Sequence, residues 1–192
     1  MHSNIEIEAK VLLTKQQYDT VIHYLHLERY KKVKQTNHYI DTEDQILKEN
    51  DFALRVREKD DFVLTLKTPL SEGLLEKNQT LSWREYAYLE DKNIFPVGNI
   101  KDFLEICGFD ISKLKVLASL TTFRIEFEYD DGIVCLDENI YGEIKDYELE
   151  IECNSMERAE ELVKRLLNES GIEEFKFNSI SKQARAINAV TK

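Results

Sequence analysis

Between Tyr147 and Glu152 the chain alternates without exception between large apolar and acidic residues, Tyr-Glu-Leu-Glu-Ile-Glu. A period of two is the signature of a strand with two unlike faces. Glu148, Glu150 and Glu152 therefore share one face, and Tyr147, Leu149 and Ile151 the other. Carboxylates in register on one strand repel each other. Such a strand is tolerated where cations stand among the carboxylates, and this demand constrains the rest of the chain.

The same alternation recurs along the sequence. Strands are expected over Ile5–Leu13, within Leu27–Thr42, and over Phe52–Lys59, Phe62–Thr68, Leu74–Leu81, Val116–Tyr129, Ile133–Asn139 and Asp146–Cys153. The polar faces carry charge in an ordered way. Glu6, Glu8 and Lys10 line the first, Arg55 and Arg57 the third, Thr65 and Lys67 the fourth, and Arg124, Glu126 and Glu128 the sixth. Asp137 lies on the seventh. A surface built for solubility intersperses signs, whereas here the third and fourth strands offer only cations and the eighth only carboxylates.

Helices fall between and after the strands. Thr14 is placed to cap one reaching about His26, and Ser82 with Glu85 reads as a capping box. Ile100–Cys107 ends at Gly108, and Ser155–Ser170 carries an apolar stripe through Ala159, Leu162, Val163, Leu166 and Leu167 before Gly171. A last helix is expected over Ile180–Ala189. Asp130-Asp131-Gly132 reads as a hairpin turn. These stripes must cover the apolar strand faces, leaving the charged faces to water or to each other. Eight strands suffice to close a barrel. The expected fold class is α+β: an eight-stranded antiparallel closed tunnel barrel with helices packed outside, as a single domain over residues 1–192.

Composition excludes several alternatives. The formal net charge of −11 argues against a nucleic-acid binder or a partner of anionic membranes. Cys107, Cys135 and Cys153 form no CxxC pair, and no P-loop or HExxH motif occurs. The N-terminal residues lack the layout of a signal peptide and no apolar run is long enough to span a bilayer. A cytoplasmic protein is expected.

Along the charged faces, nine carboxylates (Glu6, Glu8, Glu76, Glu126, Glu128, Asp137, Glu148, Glu150, Glu152) stand against five cations (Lys10, Arg55, Arg57, Lys67, Arg124). A confined acidic excess needs neutralising. Carboxylate oxygens favour hard divalent cations such as Mg²⁺ or Mn²⁺, and arginine and lysine are receptors for phosphate. A metal-bridged polyphosphate uses both halves.

Glu6-Ile7-Glu8-Ala9-Lys10 matches an ExExK pattern. It is followed in order by Gln35, Asn37, Tyr39 and Asp41-Thr42, by Leu54-Arg55-Val56-Arg57, and by Leu64-Thr65-Leu66-Lys67. Gly73-Leu74-Leu75-Glu76, Arg124, Asp137, Glu150-Ile151-Glu152 and Ser181-Lys182 complete the series. With these motifs across almost its whole length, the chain resembles the CYTH superfamily, the triphosphate tunnel metalloenzymes. It looks most like the small stand-alone bacterial members often labelled adenylate cyclases. The resemblance implies a tunnel barrel that hydrolyses a triphosphate with Mg²⁺ or Mn²⁺, two ions per site. It implies Glu6, Glu8, Asp137, Glu150 and Glu152 as metal ligands, with Glu148 as an alternative on the same strand. Lys10, Arg55, Arg57, Lys67, Arg124 and Lys182 would grip the phosphates, and Glu8, Lys10, Asp137 and Glu150 would stand at the catalytic centre.

Three functions compete. The first is a metal-dependent triphosphatase acting on inorganic tripolyphosphate or a nucleoside or thiamine triphosphate. The second is a class IV-type adenylate cyclase, disfavoured because the HF-type motif with glycines in the second half is missing. The third is a non-catalytic polyphosphate- or nucleotide-binding module, disfavoured because the expected positions are all filled. His38 and Trp83 are read as packing residues, and Glu76 either as a carboxylate that orients an arginine or as an outer charge.

Overall fold

The computed structural model describes residues 3–71 and 74–190, without the side chains of residues 3–6. Its strands are β1 (Ser3–Glu6), β2 (Glu8–Leu13), β3 (Val33–Asp41), β4 (Ala53–Glu58), β5 (Phe62–Pro69), β6 (Leu74–Leu81), β7 (Lys115–Tyr129), β8 (Gly132–Tyr141) and β9 (Ile144–Glu152). The helices are α1 (Lys15–Tyr24), the one-turn α2 (Ile46–Glu49), α3 (Trp83–Lys92), α4 (Asn99–Ile106), α5 (Met156–Glu169) and α6 (Lys182–Val190). The sheet order is β1-β6-β5-β4-β3-β7-β8-β9-β2, and the registered strand pairs are antiparallel. The α+β class read from the periodicity is the one observed.

The strand expected over Ile5–Leu13 is divided at Ile7. Its first half neighbours β6 and its second half neighbours β9. Among the described residues these halves stand at the two ends of the hydrogen-bonded order, which ladder hydrogen bonds leave open. The strand expected within Leu27–Thr42 runs from Val33 to Asp41, after a turn in which Leu27 alone is buried.

Local chemistry sets the helix ends. Thr14 and Ser82 each form a full capping box, with Gln17 and Glu85. Ser155 caps α5 by accepting from the Arg158 N–H, while Gly108 and Gly171 take left-handed backbone where α4 and α5 stop. α1 ends at Tyr24, two residues short of expectation, where the chain turns through His26 at φ 55°.

The chain divides into two compact units. The first holds Gln35–Leu120 with β1's opening residues and α6. Its core sets Ile40, Leu54, Val56, Leu64 and Leu66 of the sheet against Tyr86 and Leu89 of α3 and Ile100 and Leu104 of α4. The second holds residues 6–34 and 121–181. There Val11, Ile125, Val134, Leu136, Leu149 and Ile151 pack under Tyr18 and Val21 of α1 and under Leu162, Val163, Leu166 and Leu167 of α5. Each such side chain, fully buried, contributes roughly 1.5–3 kcal/mol. In both units the helices take the apolar face, which leaves the charged face for chemistry.

Candidate active site

In the second unit, the register assembles the polar face in rows. Arg124 pairs with Asp137, which pairs with Glu148. The next row runs Glu126, Cys135, Glu150, Lys10, and the one after it Glu128, Ile133, Glu152, Glu8. Burial separates the glutamates of β9: Glu148 is fully buried and Glu150 is 7% exposed, while Glu152 at the strand end is exposed. Asp137 is fully buried.

Arg124 holds this face together. Its Nε donates to Asp137 Oδ1 at 2.7 Å and one terminal nitrogen to Asp137 Oδ2 at 2.6 Å, a bidentate fork. The same terminal nitrogen donates to Glu150 Oε2 at 2.7 Å. Burial alone would lower the guanidinium's pKa, but Asp137 and Glu150 outweigh it and hold Arg124 well above its ordinary value. Lys10 Nζ donates to Glu8 Oε1 at 2.6 Å, and Asn178 Nδ2 lies 3.5 Å from Glu148 Oε1. Cys135 is buried among the acids. Burial pushes its thiol pKa up, Arg124 opposes, and Asp137, Glu150 and Glu126 add to the rise.

Next to these rows lies a further hydrogen-bonded one. Thr122 Oγ1 donates to Asn139 Oδ1 at 2.8 Å, Asn139 Nδ2 to Asp146 Oδ1 at 2.9 Å, and Tyr141 Oη to Asp146 Oδ2 at 2.6 Å. Period-two counting from Asp137 and Glu148 reaches Asn139 and Asp146, a signal present in the sequence but given no role there.

The first unit carries Arg55, Arg57 and Lys67. Arg55 faces Thr65 across β4 and β5, Thr65 faces Asn78 across β5 and β6, and Lys67 faces Glu76. Lys67 Nζ lies 3.5 Å from Glu76 Oε2. Asn78 Nδ2 donates to Glu76 Oε1 at 2.8 Å and receives the Thr65 hydroxyl on its own Oδ1 at 2.6 Å. Burial would raise the Glu76 carboxyl pKa, but the Asn78 hydrogen bond and the charges of Lys67, Arg55 and Arg57 overcome it and hold the pKa below its ordinary value. Glu76 is thus an internal counter-charge for the basic cluster. Lys182 is half-buried at the start of α6, in this same unit.

Other expectations fall differently. The Glu6 side chain and Gly73 lie outside the described residues. Among the described residues, no three His, Cys, Asp or Glu side chains are grouped as a metal site. Trp83, read as a packing residue, is 68% exposed at the outer start of α3. His38 turns to the apolar face as expected. Its ring lies tilted against Tyr86, with centroids 5.1 Å apart, and meets Ser119 Oγ at 2.8 Å and Glu58 Oε2 at 3.1 Å. None of the described helices is long and apolar enough to cross a membrane.

Comparison with known proteins agrees with this geometry. The CYTH domain model matches residues 4–186. A Bacillus subtilis protein provisionally named triphosphatase YjbK is 37% identical over 173 residues, covering 90% of each chain. A Bacillus halodurans crystal structure provisionally called an adenylate cyclase superposes with a TM-score of 0.88 at 39% identity, over 96% of this chain and 98% of that one. The Hippeastrum protein HpAC1, described as having a dominant triphosphatase activity, shares the fold at TM-score 0.78 and 24% identity, with 96% of each chain covered. A match spanning nearly every strand, with the segregated acidic and basic faces in family order, places this chain in the CYTH domain family.

Proposed function

We propose that the chain is a metal-dependent triphosphatase. The observation that carries this reading is the set of buried carboxylates Asp137, Glu148 and Glu150 on one sheet face, with Arg124 bridging Asp137 and Glu150. An all-oxygen donor set suits Mg²⁺ or Mn²⁺. Asp137, Glu150, Glu148, Glu8, Glu152 and Glu6 are the residues that would hold such ions. At those carboxylates a divalent cation would supply Lewis-acid neutralisation of phosphate charge and a more acidic water.

The chain's own groups supply the rest. In the first unit Arg55, Arg57, Lys67 and Lys182, and in the second Lys10 and Arg124, are the cations that would offset phosphate charge, including charge spreading over a transferring phosphoryl group. Glu76 and Asn78 hold Lys67 in place. Glu8 and Lys10 act as a pair, because the carboxylate that would bind metal also fixes the ammonium that would meet phosphate. The substrates that fit are inorganic tripolyphosphate and nucleoside or thiamine triphosphates. The name carried by the Bacillus subtilis relative supports hydrolysis.

The test is phosphate release from tripolyphosphate and ATP with Mg²⁺, Mn²⁺ or chelator. Turnover that requires metal and collapses in Glu150→Gln is expected. No turnover by clean protein with either substrate and either metal would sink the reading. The provisional name of the Bacillus halodurans relative favours a second reading, cyclisation of ATP. Cyclic AMP as the main product from ATP would establish it over hydrolysis.

A further inference from the structure

Asn37 is 1% exposed on β3, yet its Oδ1 accepts no hydrogen bond. Arg55 Nε on β4 is likewise buried without a partner. Asn37 stands opposite Arg57, and Tyr39 opposite Arg55. Asn37 and Arg55 are therefore diagonal neighbours on one face, within reach of a common small group. Native proteins seldom leave buried polar atoms unpaired, because each forfeits its hydration without compensation. Elsewhere on this face Thr65, Asn78, Glu76 and Lys67 satisfy one another.

The two orphans are complementary. One is an acceptor that needs a donor, and the other is a donor that needs an acceptor. A fully ionised phosphate oxygen only accepts, so it would suit Arg55 while setting oxygen against oxygen at Asn37. A hydroxyl does both. We infer that Asn37 Oδ1 and Arg55 Nε together receive a hydroxyl group of the ligand, with Asn37 taking the hydrogen and Arg55 donating to the oxygen. Asn37 is then a specificity-determining residue. The inference rests on the reading of Arg55 as a receptor for a phosphorylated ligand. The hydroxyl has two chemical sources: the P–OH of a singly protonated terminal phosphate, or a sugar hydroxyl of a nucleoside triphosphate.

Calorimetric titration of wild type, Asn37→Leu and Asn37→Ala with tripolyphosphate and with ATP, each with Mg²⁺, separates these sources. Titrations at about pH 5.5 and about pH 8.5 bracket the second ionisation of a phosphate group. A roughly five- to hundredfold loss of affinity is expected for the hydroxyl-bearing ligand. The Asn37→Leu melting temperature should hold or rise, because an apolar group replaces an unpaired polar one. Loss for both ligands that fades at the higher pH assigns the P–OH; loss for ATP alone assigns the sugar hydroxyl. Equal loss for both ligands at both pH values means that the amide donates to phosphate oxygen, and overturns the inference. So does a fall of more than about 4 °C in the melting temperature of both variants, beyond what about 1 kcal/mol produces in a chain of this size, which marks a structural role. Wild-type affinity in both variants refutes the Asn37 assignment alone. If the wild type binds neither ligand, the triphosphate reading fails and takes this inference with it.

Discussion

Replacing Arg124 with methionine keeps most of the side chain's length and removes its charge. The loss is three charge-assisted hydrogen bonds of 2.6–2.7 Å to Asp137 and Glu150. At about 1.5–3 kcal/mol each, their simple sum would exceed what such variants lose, because the guanidinium's own desolvation cost is recovered. Removing one partner of a buried ion pair costs about 3–5 kcal/mol, chiefly by leaving the other charge buried with less compensation. Here Asp137 is fully buried and Glu150 nearly so, with Glu148 opposite Asp137 in the ladder, so the full range applies. For a chain of this length each kcal/mol moves the melting temperature by about 2–4 °C, so Arg124→Met should melt roughly 6–20 °C below wild type. Arg124→Lys keeps a charge without the fork and should fall between the two. The assay is thermal unfolding followed by circular dichroism in chelator, repeated with Mn²⁺, which should recover part of the loss by supplying the missing positive charge. An Arg124→Met protein melting within about 2 °C of wild type in chelator, a shift of no more than about 1 kcal/mol, would refute the reasoning.

Three further outcomes follow from the geometry. Glu76 has a lowered pKa in the folded state, so its ionised form adds stability that is present above the unfolded pKa near 4.3 and lost as pH falls through the folded value. The stability gap between wild type and Glu76→Gln in urea titrations should therefore be open at neutral pH and narrow as pH drops below about 4.3; a gap that widens on acidification would contradict this. A Cβ at Gly132 would meet Leu162 Cδ1 at 2.9 Å and Ile151 Cγ2 at 3.0 Å, so Gly132→Ala should lose about 1–3 kcal/mol in the same titrations. Ser155→Ala removes the side-chain cap of α5 and should lower the melting temperature by about 2–4 °C, from a cost of about 1 kcal/mol.

Much of this molecule is a consequence of short-range sequence chemistry. Strict alternation places Glu148, Glu150 and Glu152 on one face because successive side chains of a strand must point apart, and no tertiary contact is needed to know it. The caps at Thr14, Ser82 and Ser155 and the stops at Gly108 and Gly171 are decided within a few residues, which is why the helices fall close to where the pattern puts them. Other features depend on which strands pair and in what register. That Arg124 bridges Asp137 and Glu150 follows from residues 13 and 26 positions apart meeting across β7, β8 and β9. Alternation cannot tell the buried Glu148 from the exposed Glu152, since burial is set by what covers each row. The division of the first strand at Ile7 needed knowledge of two separate partners, β6 and β9. The unpaired oxygen of Asn37 could not be read from a motif, because whether a polar atom is satisfied depends on every group packed around it. Periodicity decides which way a side chain points. Only the assembled sheet decides what it meets there.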